Sequence, residues 1–246
     1  MAETSQPEQT PAEQTPTDQS QSDQPMTDQT PADQSQSEQT ATPAAPDEAH
    51  ETLTASYERL RHSVDPEELG EFARRPLPDP SDAAAFSRAT ALLEAVAGNL
   101  HTAVADRLYL AEHMPFPNIL VKLSVDPEMA VRKAVAQNTD DKNWLVGRLT
   151  KDDELEVRSA ALVNPRTSWK MRMEGAQDER NDPETLDYLS RFGVSEDQPG
   201  PAVLTAMIRR AVALNPSASE ETIERLSQDA DIQVRHAVEK RRASAA

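Results

Sequence analysis

The sequence predicts an all-α fold: a right-handed α-solenoid of short paired helices on a repeat of about 26 residues. Three observations carry this expectation. An acidic turn, a Val/Ile-Arg pair, a small apolar run and an Asn follow in fixed order at Asp126-Val131-Arg132-Asn138 and at Asp152-Val157-Arg158-Asn164. The order returns in parts at Ile208-Arg209-Asn215 and Asp229-Val234-Arg235, and the steps Val131 to Val157 and Ile208 to Val234 are each 26 residues. A second, shorter apolar segment precedes each Asp, with Leu123, Leu149 and Leu226 always three residues ahead. A period of that size marks stacked units that bury one another's apolar faces, rather than one closed core.

Residues 1–50 stand apart. They hold ten Asp or Glu and no Lys or Arg, whereas the remaining residues hold 33 acids and 25 bases. Residues 1–40 form eight pentads with Glu3, Glu8, Glu13, Asp18, Asp23, Asp28, Asp33 and Glu38 at the third place, and Gln follows all but Glu3. Low hydrophobicity, charge of one sign and recurrent Pro cannot offset the entropy of ordering, so a disordered acidic tail is expected. It reads as a solubilising spacer. The alternative is a phospho-acceptor or docking tail, since Ser5, Thr10, Thr15, Ser20, Thr30 and Ser35 each precede an acid by three residues, a spacing the pentad period generates by itself.

Residues 51–100 read as an N-terminal helical cap, because Ser63-Val64-Asp65-Pro66-Glu67 repeats Ser124–Glu128 word for word. The solenoid proper is expected over residues 101–246. Ile119, Leu120 and Leu123 fall on one face of a short helix, as do Leu145 and Leu149, and Ile223 and Leu226. Asp126-Pro127-Glu128 reads as an N-cap acid, a Pro at the first helical position and a second acid in the first turn. Asn138, Asn164 and Asn215 read as helix stops in the left-handed conformation, two of them followed by Pro. Arg107 to His113-Met114-Pro115 fits the same frame with His in the Asn place, and Glu184–Ser190 matches Glu221–Ser227. Residues 193–201, with two Gly and two Pro, read as a protruding loop.

The pattern Leu-x-x-Asp-(Pro)-x-x-x-Val-Arg-x-x-(Val/Ala)-Ala-x-Asn-Pro resembles the leucine-rich repeat variant family, a relative of HEAT-like repeats. The resemblance covers about residues 105–240 and implies an α-solenoid with one α-helix and one short or 3₁₀ helix per unit. One member of that family carries an iron–sulfur cluster beside its repeats, a property that does not transfer to a chain without Cys.

Function is less legible than fold. The absence of Cys excludes disulfides, thiolate metal sites and Cys nucleophiles. His50, His62, His101, His113 and His236 have no metal-ligand spacing, and the six glycines all stand alone, so no phosphate loop is present. Neither an enzyme nor a cofactor is expected. No signal peptide or membrane span is visible, and a soluble cytoplasmic protein is expected.

Arg132, Arg158, Arg209 and Arg235 read as a structural ladder with Asp126, Asp152 and Asp229. Asp and Arg six apart in one helix lie about 240° around the axis, so the partner acid is expected in an adjacent unit. The neighbouring places vary: Lys133, Ser159, Arg210 and His236, then Gln137, Val163, Leu214 and Lys240 one turn on. Lys133, Gln137, Arg210 and His236 are therefore candidate partner contacts. Trp144 and Trp169 read as fillers of the grooves between units. Trp169 with Met171 and Met173, where the repeat breaks, is alternatively an adaptable docking patch.

The leading expectation is a non-enzymatic scaffold that binds an unidentified protein or peptide as a monomer, since Ala-Ser-Ala-Ala after Arg242 offers no hydrophobic docking surface. The alternative is a nucleic-acid module using Arg209, Arg210, Arg235, Lys240, Arg241 and Arg242, with the acidic tail competing for the same stripe. A third reading is a scaffold without a dedicated groove.

Overall fold

The computed structural model describes residues 51–140 and 143–245; the acidic pentads lie outside the described residues. Those described form thirteen helices and no strand. In order they are α1 (Leu53–His62), α2 (Pro66–Arg74), α3 (Ala83–Ala97), α4 (Val104–His113), α5 (Pro117–Leu123), α6 (Met129–Gln137), α7 (Val146–Leu149), α8 (Leu155–Val163), α9 (Trp169–Gln177), α10 (Pro183–Leu189), α11 (Ala202–Leu214), α12 (Glu220–Ser227) and α13 (Ile232–Ala245). None is long and apolar enough to cross a membrane.

Alternate helices stack into two rows. The first runs α1–α3–α5 and then α9–α11–α13. Short α7 bridges them, with Met171 of α9 against Gly147. The second runs α2–α4–α6–α8–α10. It continues to α12, where Thr222 and Arg225 donate to Asp187 of α10. Two apolar clusters fill the space between rows: one from Leu60 to Ala161, the other from Leu162 to Val238. Their boundary lies within α8, so the core is a strip rather than a closed centre, as sequential stacking requires.

The same five-residue word starts a helix in two different ways. At Asp65-Pro66 the carboxylate caps the amides of Glu67 and Glu68, and Pro66 is the first helical residue. At Asp126-Pro127 the helix begins only at Met129. Arg132, six residues after Asp126, donates from Nη1 to the carbonyls of Asp126 and Pro127 at 2.8 and 3.2 Å and so removes them from the helix. Six residues after Asp65 stands Glu71, which has nothing to donate. Arg158 and Arg235 hold the turns of residues 152–153 and 229–230 as Arg132 does. The ladder acids therefore sit just ahead of their helices rather than at the N-cap. Each still accepts the amide two residues on.

The helix stops also differ from the expected left-handed form. Asn138, Asn164 and Asn215 have φ of −63°, −63° and −77° with extended ψ. Each side chain does what a left-handed backbone would otherwise do. Oδ1 accepts the amide two residues on, and Nδ2 donates to carbonyls at the end of an earlier helix in the same row. Asn138 reaches Ala111 at 2.8 Å, Asn164 reaches Ala136 at 2.7 Å and Asn215 reaches Ala176 at 2.9 Å. Asn99, after α3, reaches Leu60 and Ser63 in the same way, so the cap region uses the same device. These bonds satisfy carbonyls that every helix end leaves open.

The loop at 193–201 is anchored rather than free. Gly193, at φ 76°, adopts a conformation only Gly takes without strain. Its amide donates to the Gln198 carbonyl at 2.8 Å, and Gln198 is buried. A side chain at Gly200 would lie 2.6 Å from the Trp169 ring, so the loop closes directly on α9.

Candidate functional site

Arg107, Arg132 and Arg209 each divide the guanidinium between two jobs. Nη1 holds local carbonyls while Nε and Nη2 grip an acid about twenty residues ahead. Arg107 grips Asp126 at 2.7 and 3.2 Å, Arg132 grips Asp152 at 2.8 and 3.0 Å, and Arg209 grips Asp229 at 2.7 and 3.2 Å. Such bidentate pairs fix the rotation of one unit on the next as well as adding energy. Burial alone would raise the Asp152 pKa, but the bonds from Arg132 and the Glu154 amide, with the charges of Arg132 and Arg158, outweigh it and hold the carboxyl below its usual range. Arg209 takes the Phe192 carbonyl with Nη1, because the 193–201 loop replaces the acidic turn there.

From Met207 in α11, through the Asn215 stop and α12, to the turn at Asp229, the chain makes one full period of these contacts. Residues 207–231 match the leucine rich repeat variant model. No curated protein and no solved structure matches the chain. The leucine rich repeat variant frame is thus matched over one period, and the bonds of Arg132, Asn138, Arg158 and Asn164 repeat its geometry upstream.

One copy of the frame is masked in the sequence, because Met171 stands in the Val/Ile place. Met171-Arg172 followed by Asp178 has the same spacing as Ile208-Arg209 followed by Asn215. Asp178 accepts the Arg180 amide at 3.0 Å, and its carbonyl accepts from Asn215 at 3.1 Å. Helix α9 is therefore a Val-Arg-type helix that follows α8 with no short helix between. The extra helix shifts the alternation by one. Helices α4, α6 and α8 carry the framed Arg in the second row, whereas α11 and α13 carry it in the first.

That shift separates the candidate contacts. Lys133 and Gln137 lie on α6 in the second row, and Arg210 and His236 on α11 and α13 in the first, so equivalent places in the word do not form one continuous face. Lys133 is already paired with Glu156 at 2.9 Å. Gln137, Arg210 and His236 are exposed, with His236 3.9 Å from Glu239.

The aromatic and Met candidates also divide. Trp144 is 67% exposed and does not fill a groove. Trp169 is half-buried, edge-on to Phe192 at 5.3 Å. Met171 lies against Gly147 and Thr150, while Met173 packs on the second apolar cluster. The two Met thus face different neighbours and do not make one patch. Between Trp169 and Phe192 lies buried Arg172, 4.9 and 4.4 Å from their rings. Burial lowers its pKa, and it has no acid. Its Nη2 donates to the Asn164 carbonyl at 2.9 Å.

The proposed basic stripe is mostly committed to structure. Arg209 is buried on Asp229, and Arg235 holds its own turn. Arg241 donates to the carbonyls of Asn215, Pro216 and Ala218, and Arg242 pairs with Glu224 at 2.7 Å. The side chains of Arg210 and Lys240 alone of the six have no hydrogen bond or ion pair among the described residues. No group of three or more His, Cys, Asp or Glu among the described residues is placed to hold a metal ion.

Proposed function

We propose that this chain is a non-enzymatic repeat scaffold that binds another protein or a peptide. One observation carries the reading. The repeated polar residues are spent within the scaffold, while exposed large apolar side chains are more numerous on one helix than on any other described. Four of them, Val203, Leu204, Met207 and Leu214, lie on α11, and no other helix exposes more than two. Apolar surface gathered in this way marks an interaction site rather than a random surface. The nucleic-acid reading has less support, because two free cations neutralise little phosphate charge.

Affinity capture on the full chain from an extract of its own cells, with and without nuclease, followed by mass spectrometry, tests the proposal. A reproducible protein partner retained after nuclease is expected. A partner lost with nuclease, or none at all, would contradict it.

A further inference from the structure

The shift of rows gives α11 a surface that no other Val-Arg helix has. Its outward residues Val203, Met207, Arg210 and Leu214 follow the spacing i, i+4, i+7, i+11, which draws one stripe along a helix. Val203 is 73% exposed, Met207 44% and Leu214 42%. At the places corresponding to Met207, Arg210 and Leu214, α13 presents Gln233, His236 and Lys240. The upstream helix α6 presents Lys133, tied to Glu156, and Gln137 instead. An apolar strip with unpaired cations is thus confined to the α11–α13 face.

The strip ends in a cavity of about 330 Å³ lined by Leu214, Pro216, Lys240, Arg241 and Ser244. Arg241 is held by backbone carbonyls, so Lys240 is the free cation at its rim. The apolar residues from Val203 to Leu214 extend over roughly three helical turns, about 16 Å. Two cations without acids flank them, on a protein whose described part is otherwise rich in acids.

From this juxtaposition we infer that the α11–α13 face docks an acidic amphipathic helix of about three turns, its apolar side on Val203, Met207 and Leu214 and its Asp or Glu on Arg210 and Lys240. This rests on the binding function proposed above and names the partner's chemistry. A helix laid in a groove is recognised by apolar anchors one and two turns apart, with charge setting its orientation. A nucleic acid fits this face poorly, because its phosphates would lie over exposed Met and Leu side chains and lose hydration without a compensating charge.

The test is a display library of helix-forming peptides of about 16 residues, randomised on one face and its flanks, selected on the full chain. Enriched peptides are expected to carry apolar residues one helical turn apart with flanking Asp or Glu. Their affinity, measured by fluorescence anisotropy, should fall about tenfold or more in the double variants M207S/L214S and R210E/K240E, and should weaken with added salt. All four residues are exposed, so thermal melts should match the wild type and separate binding from folding. Peptides that bind these variants equally well, or that lack acids, would overturn this face and leave the general binding function standing. No enrichment above a blank surface would overturn both. A duplex oligonucleotide that binds the wild type more tightly than any selected peptide, and is lost in R210E/K240E, would assign the face to nucleic acid and overturn the peptide.

Discussion

Arg158 meets the Asn181 amide where Arg107, Arg132 and Arg209 each meet a carboxylate. Its Nε donates to Asn181 Oδ1 at 3.2 Å, and its Nη2 takes the Arg180 carbonyl at 2.8 Å. Asn181 in turn donates to the Gly175 carbonyl at 2.8 Å, across the end of α9. The odd rung falls where α8 passes to α9, at the junction that shifts the rows. An aspartate there would accept from Arg158 but would have no donor for Gly175.

Asn181→Ala should therefore cost about 2 kcal/mol, since a buried guanidinium bond and a buried carbonyl bond are both lost. Asn181→Asp should cost about 1 kcal/mol, because the charged rung gained is offset by the missing donor. Urea unfolding of both variants measures this. An aspartate variant more stable than the wild type would show that the Gly175 bond contributes little.

The other rungs should rank by burial. Arg209 and Asp229 have side-chain exposures of 6% and 3%, against 16% and 10% for Arg132 and Asp152. Arg209→Ala leaves a buried, unpaired carboxylate and should cost about 3–5 kcal/mol. Arg132→Ala should cost about 1–3 kcal/mol. Arg235, which grips no acid, should cost under about 1 kcal/mol when changed to Ala. Equal losses at all three sites would show that the acid, when present, adds little beyond the local carbonyl bonds.

Acid should weaken the fold through identifiable carboxylates. Burial works to raise the pKa of Asp152 and of Asp187, yet their Arg partners prevail and the folded values lie below the ordinary one. A folded pKa below the unfolded value of about 3.9 adds stability above that value, and it is lost as pH falls through the folded pKa. The urea midpoint should therefore drop below about pH 4, and Asp152→Asn should show a shallower drop. A variant with the same pH dependence as the wild type would remove Asp152 from the account.

The two tryptophans should behave differently. Trp144, being exposed, should be quenched freely by acrylamide, and Trp144→Phe should change stability by less than about 0.5 kcal/mol. Trp169 lies against the Arg172 guanidinium, edge-on to Phe192, and is covered by Gly200. Trp169→Phe should cost about 1–2 kcal/mol. Its emission in the Trp144→Phe background should resist the quencher.

Much of this architecture is legible in residue spacing. Apolar residues three and four apart mark the helices, and the fixed spacing of Asp and Arg points Arg132 and Arg209 to the acid of the next unit. Both are short-range geometry, settled within a turn or two of backbone. The stop at Asn138, by contrast, depends on carbonyls of α4 more than twenty residues away. Its extended backbone could not be read from the Asn alone.

Which row a helix occupies is not local at all. It depends on the parity of every helix before it, and α9, with Met171-Arg172 in place of Val-Arg, adds one to that count. Arg210 and Lys133 hold equivalent places in the repeated word, yet the extra helix puts them in different rows. Spacing says which side of a helix is apolar; only the complete stack, in which each helix buries its flank on neighbours already placed, determines which side of the molecule that helix faces.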